Sequence, residues 1–323
     1  MEKLVYIVRD HGSVIREELE KRGFQVIVGN GTADPDILAH CSVLMPGGKI
    51  TVDAELLSLA PDLELVAKSG VGVDRIDIDA CTALGITVAN TPLTNIRSVA
   101  EHTMMLMLAC AKKLYPISLY LRHTYPDFWC RERYEGVELF GKNLTVVGLG
   151  NIGRNVAGLA GAFGMHVTGY DPFADPAKRP EGIRQETDLH AALRDADFVT
   201  LHVAGTPQTR GMIGAEELAC MKPSAVLINV SRGSVVDEKA LIAALQNGVI
   251  AGAGLDVFAD EPLQPGNPLM LMENVTATPH CAGNTADARL RTQWDCLENI
   301  TDYFDGRTPR YALNHPKRRV IQN

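Results

Sequence analysis

The sequence predicts an α/β protein of two doubly wound parallel-sheet domains, one inserted within the other. Three observations lead there. Over roughly the first 95 residues, short apolar runs alternate with segments of helical spacing. Near the middle, one such run breaks at three closely spaced glycines and passes into an amphipathic helix and then a second run. From residue 198 onward, four further apolar runs are again separated by helical segments. Strands that alternate with helices in this way pair in parallel, with helices covering both faces.

In the first unit, residues 4–8, 25–28, 42–45, 65–68 and 87–89 read as strands, with helices at 13–21, 54–59 and 77–84. The turn Ser69-Gly70-Val71-Gly72-Val73-Asp74 follows the fourth strand, and loops after strand ends are where such sheets bind ligands. Its N–H groups either form a nest for a small carboxylate, with Lys68 alongside, or merely reverse the chain. Asn90-Thr91-Pro92 marks a break. Residues 98–113 read as a helix with Ser98 as N-cap and Glu101 completing a capping box. Its apolar run, with Met104, Met105 and Met107, is long for a surface helix and is expected to be buried between the two units. Residues 115–141 read as an irregular polar connection.

The glycines follow a strand at 144–147. Gly148 turns the chain out of that strand, Gly150 lets a pyrophosphate approach the backbone, and Gly153 lets helix and strand pack closely. The N–H groups opening the helix favour an anion by roughly 0.3–1 kcal/mol at an exposed helix end. A second strand, 166–170, ends on Asp171, about 20 residues past the glycines, where a carboxylate accepts from ribose hydroxyls and repels a 2′-phosphate. This order predicts a dinucleotide site taking NAD rather than NADP. Lys178 and Arg179 follow closely and read either as a solvated turn or as a pair that tolerates a phosphate.

Beyond Asp171, strands at 198–203, 225–230, 253–257 and 275–277 alternate with helices at 188–194, 215–221 and 238–246. Residues 285–304 form a last long helix. One helix cannot make a domain, so it is expected to cross back to the first unit. The expected division is therefore 1–97 plus 284–323 for a discontinuous outer domain and 98–283 for the inserted nucleotide domain.

A chain of 323 residues suits two domains, each able to bury its own core. The net charge of −8 argues against nucleic acid or anionic membrane as a partner. The opening MEKLVYIVRD carries charges at once and has no apolar signal core. No apolar run reaches the length of about 20 residues that spans a membrane. Seven cysteines without C-x-x-C spacing fit free thiols in a reducing compartment, and a cytoplasmic location is expected.

Three polar groups stand at the ends of consecutive late strands: Arg232, Glu261 and His280. In a parallel sheet those ends share one edge, the edge where a nicotinamide would lie. Arg232 offers a fixed-charge fork for a carboxylate and its neighbouring carbonyl. His280 can give a proton to oxygen as hydride reaches carbon, and take it back in reverse. Glu261, bonded to the imidazole, would hold it and raise its pKa. These are the groups that reduction of a 2-oxo acid requires. No second ligand pair suits Cys281, so no metal is expected, and His202 is expected to be structural.

Six segments occur in a family order: SGVGVDRID at 69–77, NTPLTNIRSVAEHT at 90–103, VVGLGNIG at 146–153, INVSRGSVVDEKAL at 228–241, GLDVFADEP at 254–262 and TPHCAGNT at 278–285. Over nearly its whole length the chain thereby resembles the D-isomer-specific 2-hydroxyacid dehydrogenases, whose members include phosphoglycerate, glyoxylate/hydroxypyruvate and D-lactate dehydrogenases. The resemblance implies a Rossmann NAD-binding domain inserted in a flavodoxin-like substrate domain. It implies Arg232, Glu261 and His280 as the catalytic set acting on a D-2-hydroxy acid and its 2-oxo acid, with Val71 and Gly72 as backbone donors to the substrate carboxylate. Around NAD it places Asn151, Ile152, Asp171, Val203, Val230, Ser231, Asp256 and the His280 to Gly283 segment, with Asp256 near the carboxamide. It also implies a homodimer built around the nucleotide domains.

The chain departs from the family pattern at two places. Ala204 and Gly205 stand where proline and leucine are common, which is expected to loosen the adenine-side wall. Thr145 replaces a frequent glycine, with little consequence expected. The chain ends near residue 323, so the extra regulatory domain of some phosphoglycerate dehydrogenases is not expected. Two other readings share the scaffold: an NAD(H)-sensing corepressor-like binding protein, and a formate- or phosphite-type dehydrogenase. Formate enzymes pair their histidine with glutamine, so Glu261 argues against that type.

Overall fold

The computed structural model describes residues 3–10, 12–47, 50–123, 134–174 and 182–317. It divides into two compact units, Met1–Asn95 with Asn284–Asn323, and Ile96–Gly283. The boundary falls two residues before the expected one, because the helix expected to begin behind Ser98 begins at Ile96.

The first unit holds β1 (Leu4–Ile7), α1 (Ser13–Lys21), β2 (Gln25–Val28), α2 (Pro35–Leu38), β3 (Val43–Met45), α3 (Ala54–Ser58), β4 (Leu65–Ala67), α4 (Ile78–Ala83), β5 (Thr87–Ala89) and, from the far end of the chain, α11 (Ala286–Phe304). Its parallel sheet has the order β2-β1-β3-β4-β5, the flavodoxin-like arrangement. Alternate residues of each strand supply opposite faces. Leu4, Tyr6, Leu44, Val66 and Val88 pack on one side, and Val5, Ile7, Val43, Met45, Leu65 and Ala89 on the other. That second face is closed by Ile15 and Leu19 of α1 and by Cys296, Leu297, Ile300 and Tyr303 of α11. The last helix thus returns to the first unit, capped by Thr285, whose side chain accepts from Ala288 N–H. The four-residue α2, started by Asp34 and Pro35, is not foreseen from the sequence pattern.

The second unit holds α5 (Ile96–Ala111), α6 (Leu114–His123), β6 (Asn143–Val147), α7 (Asn151–Ala162), β7 (His166–Tyr170), β8 (Arg184–Glu186), α8 (Leu189–Arg194), β9 (Phe198–Leu201), α9 (Ala215–Cys220), β10 (Val226–Asn229), α10 (Glu238–Gln246), β11 (Gly252–Leu255) and β12 (Val275–Ala277). All seven strands are parallel, in the order β12-β11-β10-β9-β6-β7-β8. The order reverses between β6 and β9, which creates the crevice where such sheets take ligands.

Two expectations need correction. Ser98 is not an N-cap; it lies buried inside α5, and Glu101 pairs instead with Arg97 at 4.0 Å. Part of the supposed irregular connection is helix α6, whose Pro116 sits in the first turn, where no intrahelical N–H partner is lost. The apolar run of α5 is explained within its own unit. Val99, Met104, Leu106 and Met107 pack with Leu144, Val146 and Val156, while Met105 remains exposed. Among the described residues no single helix is long and apolar enough to cross a membrane; α5 and α6 satisfy that test only as a pair bent by 63°.

Candidate active site

The glycine turn after β6 is shaped by contacts that exclude side chains. Gly148 has φ +94, and a Cβ there would stand 2.7 Å from the His202 carbonyl oxygen. A Cβ on Gly153 would lie 1.9 Å from the Gly148 oxygen. Gly150 differs, since nothing lies within 4 Å of its missing Cβ. It begins α7 with no side-chain cap, so the N–H groups of Asn151 and Ile152 face an open cradle, and that cradle fits a dinucleotide pyrophosphate. Val203, beyond the end of β9, packs at the same turn.

Asp171 stands at the tip of β7, where the sequence places it, and it also organises the turn. Its Oδ2 accepts from Leu149 N–H at 2.8 Å and its Oδ1 from Phe173 N–H at 2.9 Å. Each oxygen keeps lone-pair capacity for a further donor. Lys178 and Arg179 lie outside the described residues.

The late strand ends bring Glu261 and His280 together. His280 Nδ1 is 2.6 Å from Glu261 Oε2, and Phe258 N–H donates to Glu261 Oε1 at 3.1 Å. The hydrogen bond to Glu261 raises the His280 pKa; burial opposes it, the charges of Glu261 and Asp256 reinforce it, and Arg232 lowers it somewhat. For Glu261, burial pushes the carboxyl up, but the bonds from His280 and Phe258 and the charges of His280 and Arg232 outweigh it and leave the pKa lowered. A carboxylate facing Nδ1 accepts, so Nδ1 carries the hydrogen and Nε2 is left for chemistry.

Arg232 follows the buried pair Val230 and Ser231 after β10 and donates to the Ser231 carbonyl at 2.8 Å. Its stem runs against Gly205, where a Cβ would come 2.9 Å from Arg232 Cγ. The small residue at 205 therefore seats the arginine, a consequence the family comparison of that position does not suggest. Next to it, a Cβ on Gly233 would lie 1.8 Å from the Phe258 carbonyl oxygen, so the loops after β10 and β11 touch backbone to backbone. Glu238, at the start of α10, accepts from Ala259 N–H at 2.9 Å and from the Asn267 amide at 2.8 Å, steadying the loop that carries Glu261.

His280 has φ +51, a left-handed conformation that costs an ordinary residue roughly 1–2 kcal/mol. Asp256, fully buried, holds it there. The Asp256 carbonyl accepts from His280 N–H at 2.7 Å. Its carboxylate accepts from Cys281 N–H and Ala282 N–H at 2.8 Å each and from the Thr278 hydroxyl at 2.6 Å; Gly283 ends the segment. His102, on α5, lies 2.9 Å from Thr278 Oγ1. Sequence reasoning did not single out His102, although it lies in the segment 90–103 and stands four positions after Ser98 on an apolar helix face. His102, Asp256 and Cys281 bring ligating atoms within 4.8 Å of one another, but donors of the His280 segment already occupy the Asp256 oxygens. His202 is held by burial at a pKa pushed down to about 3, with Nε2 3.0 Å from Thr200 Oγ1, so it stays neutral.

In the first unit, the turn after β4 is pinned from behind. Gly70 has φ +115 and donates to Thr91 Oγ1 at 2.7 Å, and the Asn90 amide donates to the Val71 carbonyl at 2.9 Å. Burial lowers the pKa of Lys68 beside it, against the charges of Cys296 and Asp74.

Residues 104–282 match the family model described as D-isomer specific 2-hydroxyacid dehydrogenase, NAD binding domain. The glyoxylate reductase of Aeropyrum pernix is 38% identical over 277 residues, covering 84% of this chain and 82% of that protein. The chain belongs to the D-isomer specific 2-hydroxyacid dehydrogenase family. Its second unit is the family's NAD-binding domain, and the cofactor is NAD. This family member is also 43% identical over 275 residues to the D-3-phosphoglycerate dehydrogenase of Mycobacterium leprae, covering 85% of this chain and 51% of that protein. The chain thus spans about half the length of the phosphoglycerate dehydrogenases it matches. Among solved structures, D-lactate dehydrogenase from Aquifex aeolicus complexed with NAD and lactic acid is similar at TM-score 0.86 and 28% identity, covering 97% of this chain and 100% of that one.

Proposed function

We propose that this family member is an NAD-dependent dehydrogenase interconverting a D-2-hydroxy acid and its 2-oxo acid. The observation that carries the reading is the 2.6 Å pair of His280 and Glu261 on neighbouring strand ends, with Arg232 close enough for its charge to bear on both. NAD supplies or accepts the hydride. Arg232 binds the substrate carboxylate and polarises the adjacent carbonyl. His280 gives the proton to the carbonyl oxygen, and Glu261 keeps its ring oriented and protonated. Val71 and Gly72, on the turn of the first unit, are assigned to the substrate carboxylate as N–H donors. Asp256 is assigned to the carboxamide side of NAD, beside its hold on the His280 segment.

Testing this takes a panel of hydroxypyruvate, glyoxylate, pyruvate and phosphohydroxypyruvate with NADH and NADPH. Consumption of NADH with at least one of them is expected; a protein that reduces none under any condition refutes the reading.

Both shifted groups define a pH dependence. Reduction needs protonated His280, so kcat/KM for reduction is level at low pH and declines as pH rises through the raised imidazole value, above about 6.5. Oxidation follows the mirror profile. In Glu261→Gln the reduction limb moves to lower pH, and an unmoved limb would remove Glu261 from its role. For stability, the His280 contribution is full below the ordinary imidazole pKa and is lost as pH rises through the raised one. The Glu261 contribution is present above the ordinary carboxyl value and is lost as pH falls through the lowered one. The pair therefore helps the fold most between those limits, and modestly, because the side chains are 51% and 36% exposed.

Asp171→Ala tests the ribose assignment. Losing the carboxylate removes repulsion of a 2′-phosphate, and the NADPH-to-NADH preference is expected to rise about tenfold, equivalent to about 1.4 kcal/mol. An unchanged ratio refutes the assignment. A homodimer is supported by the family resemblance and by exposed Leu114, Leu119 and Leu121 on α6, and sedimentation reads it directly. A cytoplasmic, reducing location is supported by the unpaired state of the six described cysteines.

A further inference from the structure

We propose that His102 is a positioning residue for His280: its Nε2–H fixes Thr278, and through Thr278 the Asp256 carboxylate that holds the two backbone N–H groups following His280. The inference rests on the reading of His280 as the acid–base group.

The direction of each bond follows from counting protons. Thr278 Oγ1 lies 2.6 Å from Asp256 Oδ1 and 2.9 Å from His102 Nε2. Asp256 Oδ1 also accepts Cys281 N–H, and Oδ2 accepts Ala282 N–H. The carboxylate is thus an acceptor throughout, and the single hydroxyl proton of Thr278 goes to it. Only lone pairs of Oγ1 then face His102, so Nε2 must carry the hydrogen. This sets the tautomer of His102 without any appeal to its charge.

The chain of contacts is stiff at both ends. His102 is carried on α5 between Val99 and Leu106, both in the sheet-facing core, and its side chain is 13% exposed against 1% for Asp256. At the other end, His280 N–H is held by the Asp256 carbonyl and the next two N–H groups by its carboxylate. No residue of this chain's glycine turn takes part. Without a donor at 102, Thr278 is free to leave the rotamer that places its hydroxyl on Asp256. The left-handed backbone at His280 then loses part of what holds it, and with it the aim of Nδ1 at Glu261.

Four variants of the full-length protein test this. His102→Leu removes the donor; His102→Asn keeps polarity but ends a bond too short; His102→Gln restores an N–H at the reach of Nε2; Thr278→Val removes the relay. We expect His102→Leu and His102→Asn to lower kcat about tenfold at nearly unchanged KM for NADH, a loss of orientation rather than of binding, with His102→Gln within about twofold of wild type. The double variant His102→Leu/Thr278→Val should be no worse than Thr278→Val alone. Proton NMR of the His280 Nδ1–H bonded to Glu261 provides a readout independent of turnover, and its downfield resonance should be lost in His102→Leu or His102→Asn and kept in His102→Gln. Wild-type kcat with an intact resonance in His102→Asn overturns the proposal, as does full additivity in the double variant. Should His102→Leu fail to fold, the Asn and Gln variants decide alone. If wild type reduces no 2-oxo acid, the functional reading fails by itself, and the resonance still decides whether His102 positions His280.

Discussion

His280→Gln lowers kcat for 2-oxo acid reduction by about 10²–10⁴-fold, the usual contribution of a positioned general acid. Glutamine approximates the size of imidazole, so the loop after β12 is neither overpacked nor left with a large void. What it cannot do is release a proton near neutral pH. The loss should therefore appear in kcat, with NADH binding followed by fluorescence close to wild type, and the pH-dependent limb assigned to His280 should vanish. A variant that turns over at the wild-type rate, with the limb intact, would place the acid elsewhere. Glu261→Gln is the milder partner experiment: it should displace the limb rather than abolish it.

The second large effect separates two glycines that share one motif. Gly153→Ala drives a methyl group to 1.9 Å from the Gly148 carbonyl oxygen, a contact that only backbone movement can relieve. Overpacking of this kind costs about 1–3 kcal/mol and occasionally more, a fall in Tm of about 2–4 °C per kcal/mol for a unit of this size. NADH affinity falls with it, because the turn itself is displaced. Gly150→Ala should behave differently: its φ of −64 suits any residue, and nothing lies within 4 Å of the added carbon. Its Tm stays near wild type while NADH binding weakens, since the methyl occupies space left for the pyrophosphate. Equal melting temperatures for the two variants would contradict the geometry of the turn.

Much of this architecture was legible because buried parallel strands are unbroken apolar runs. Runs such as 144–147 and 275–277 mark β6 and β12 to within a residue. Strand β8 escaped because its residues, Arg184, Gln185 and Glu186, carry no apolar signal; it is an edge strand defined by backbone bonds to β7. The start of α5 was misplaced because Ser98 and Glu101 match a capping box, whereas in the fold one is buried and the other salt-bridged to Arg97. Helix α6 was obscured by Pro116, which reads as a breaker unless it falls in the first turn. At the site, Arg232, Glu261 and His280 could be placed at their strand ends from order alone. The roles of His102, Thr278 and Glu238 could not, since each depends on a partner remote in sequence whose distance only the fold defines.

The return of α11 to the first sheet bears on how the protein is made. While the chain leaves the ribosome, residues 96–283 form a continuous segment with its complete sheet and covering helices, and so can fold as one block. The N-terminal sheet emerges earlier with Ile15 and Leu19 of α1 on one face, yet the rest of the lid over Val5, Ile7, Leu65 and Ala89 is missing until Leu297 and Ile300 have been synthesised. During that interval the part of this greasy face that α11 will cover stays open to solvent.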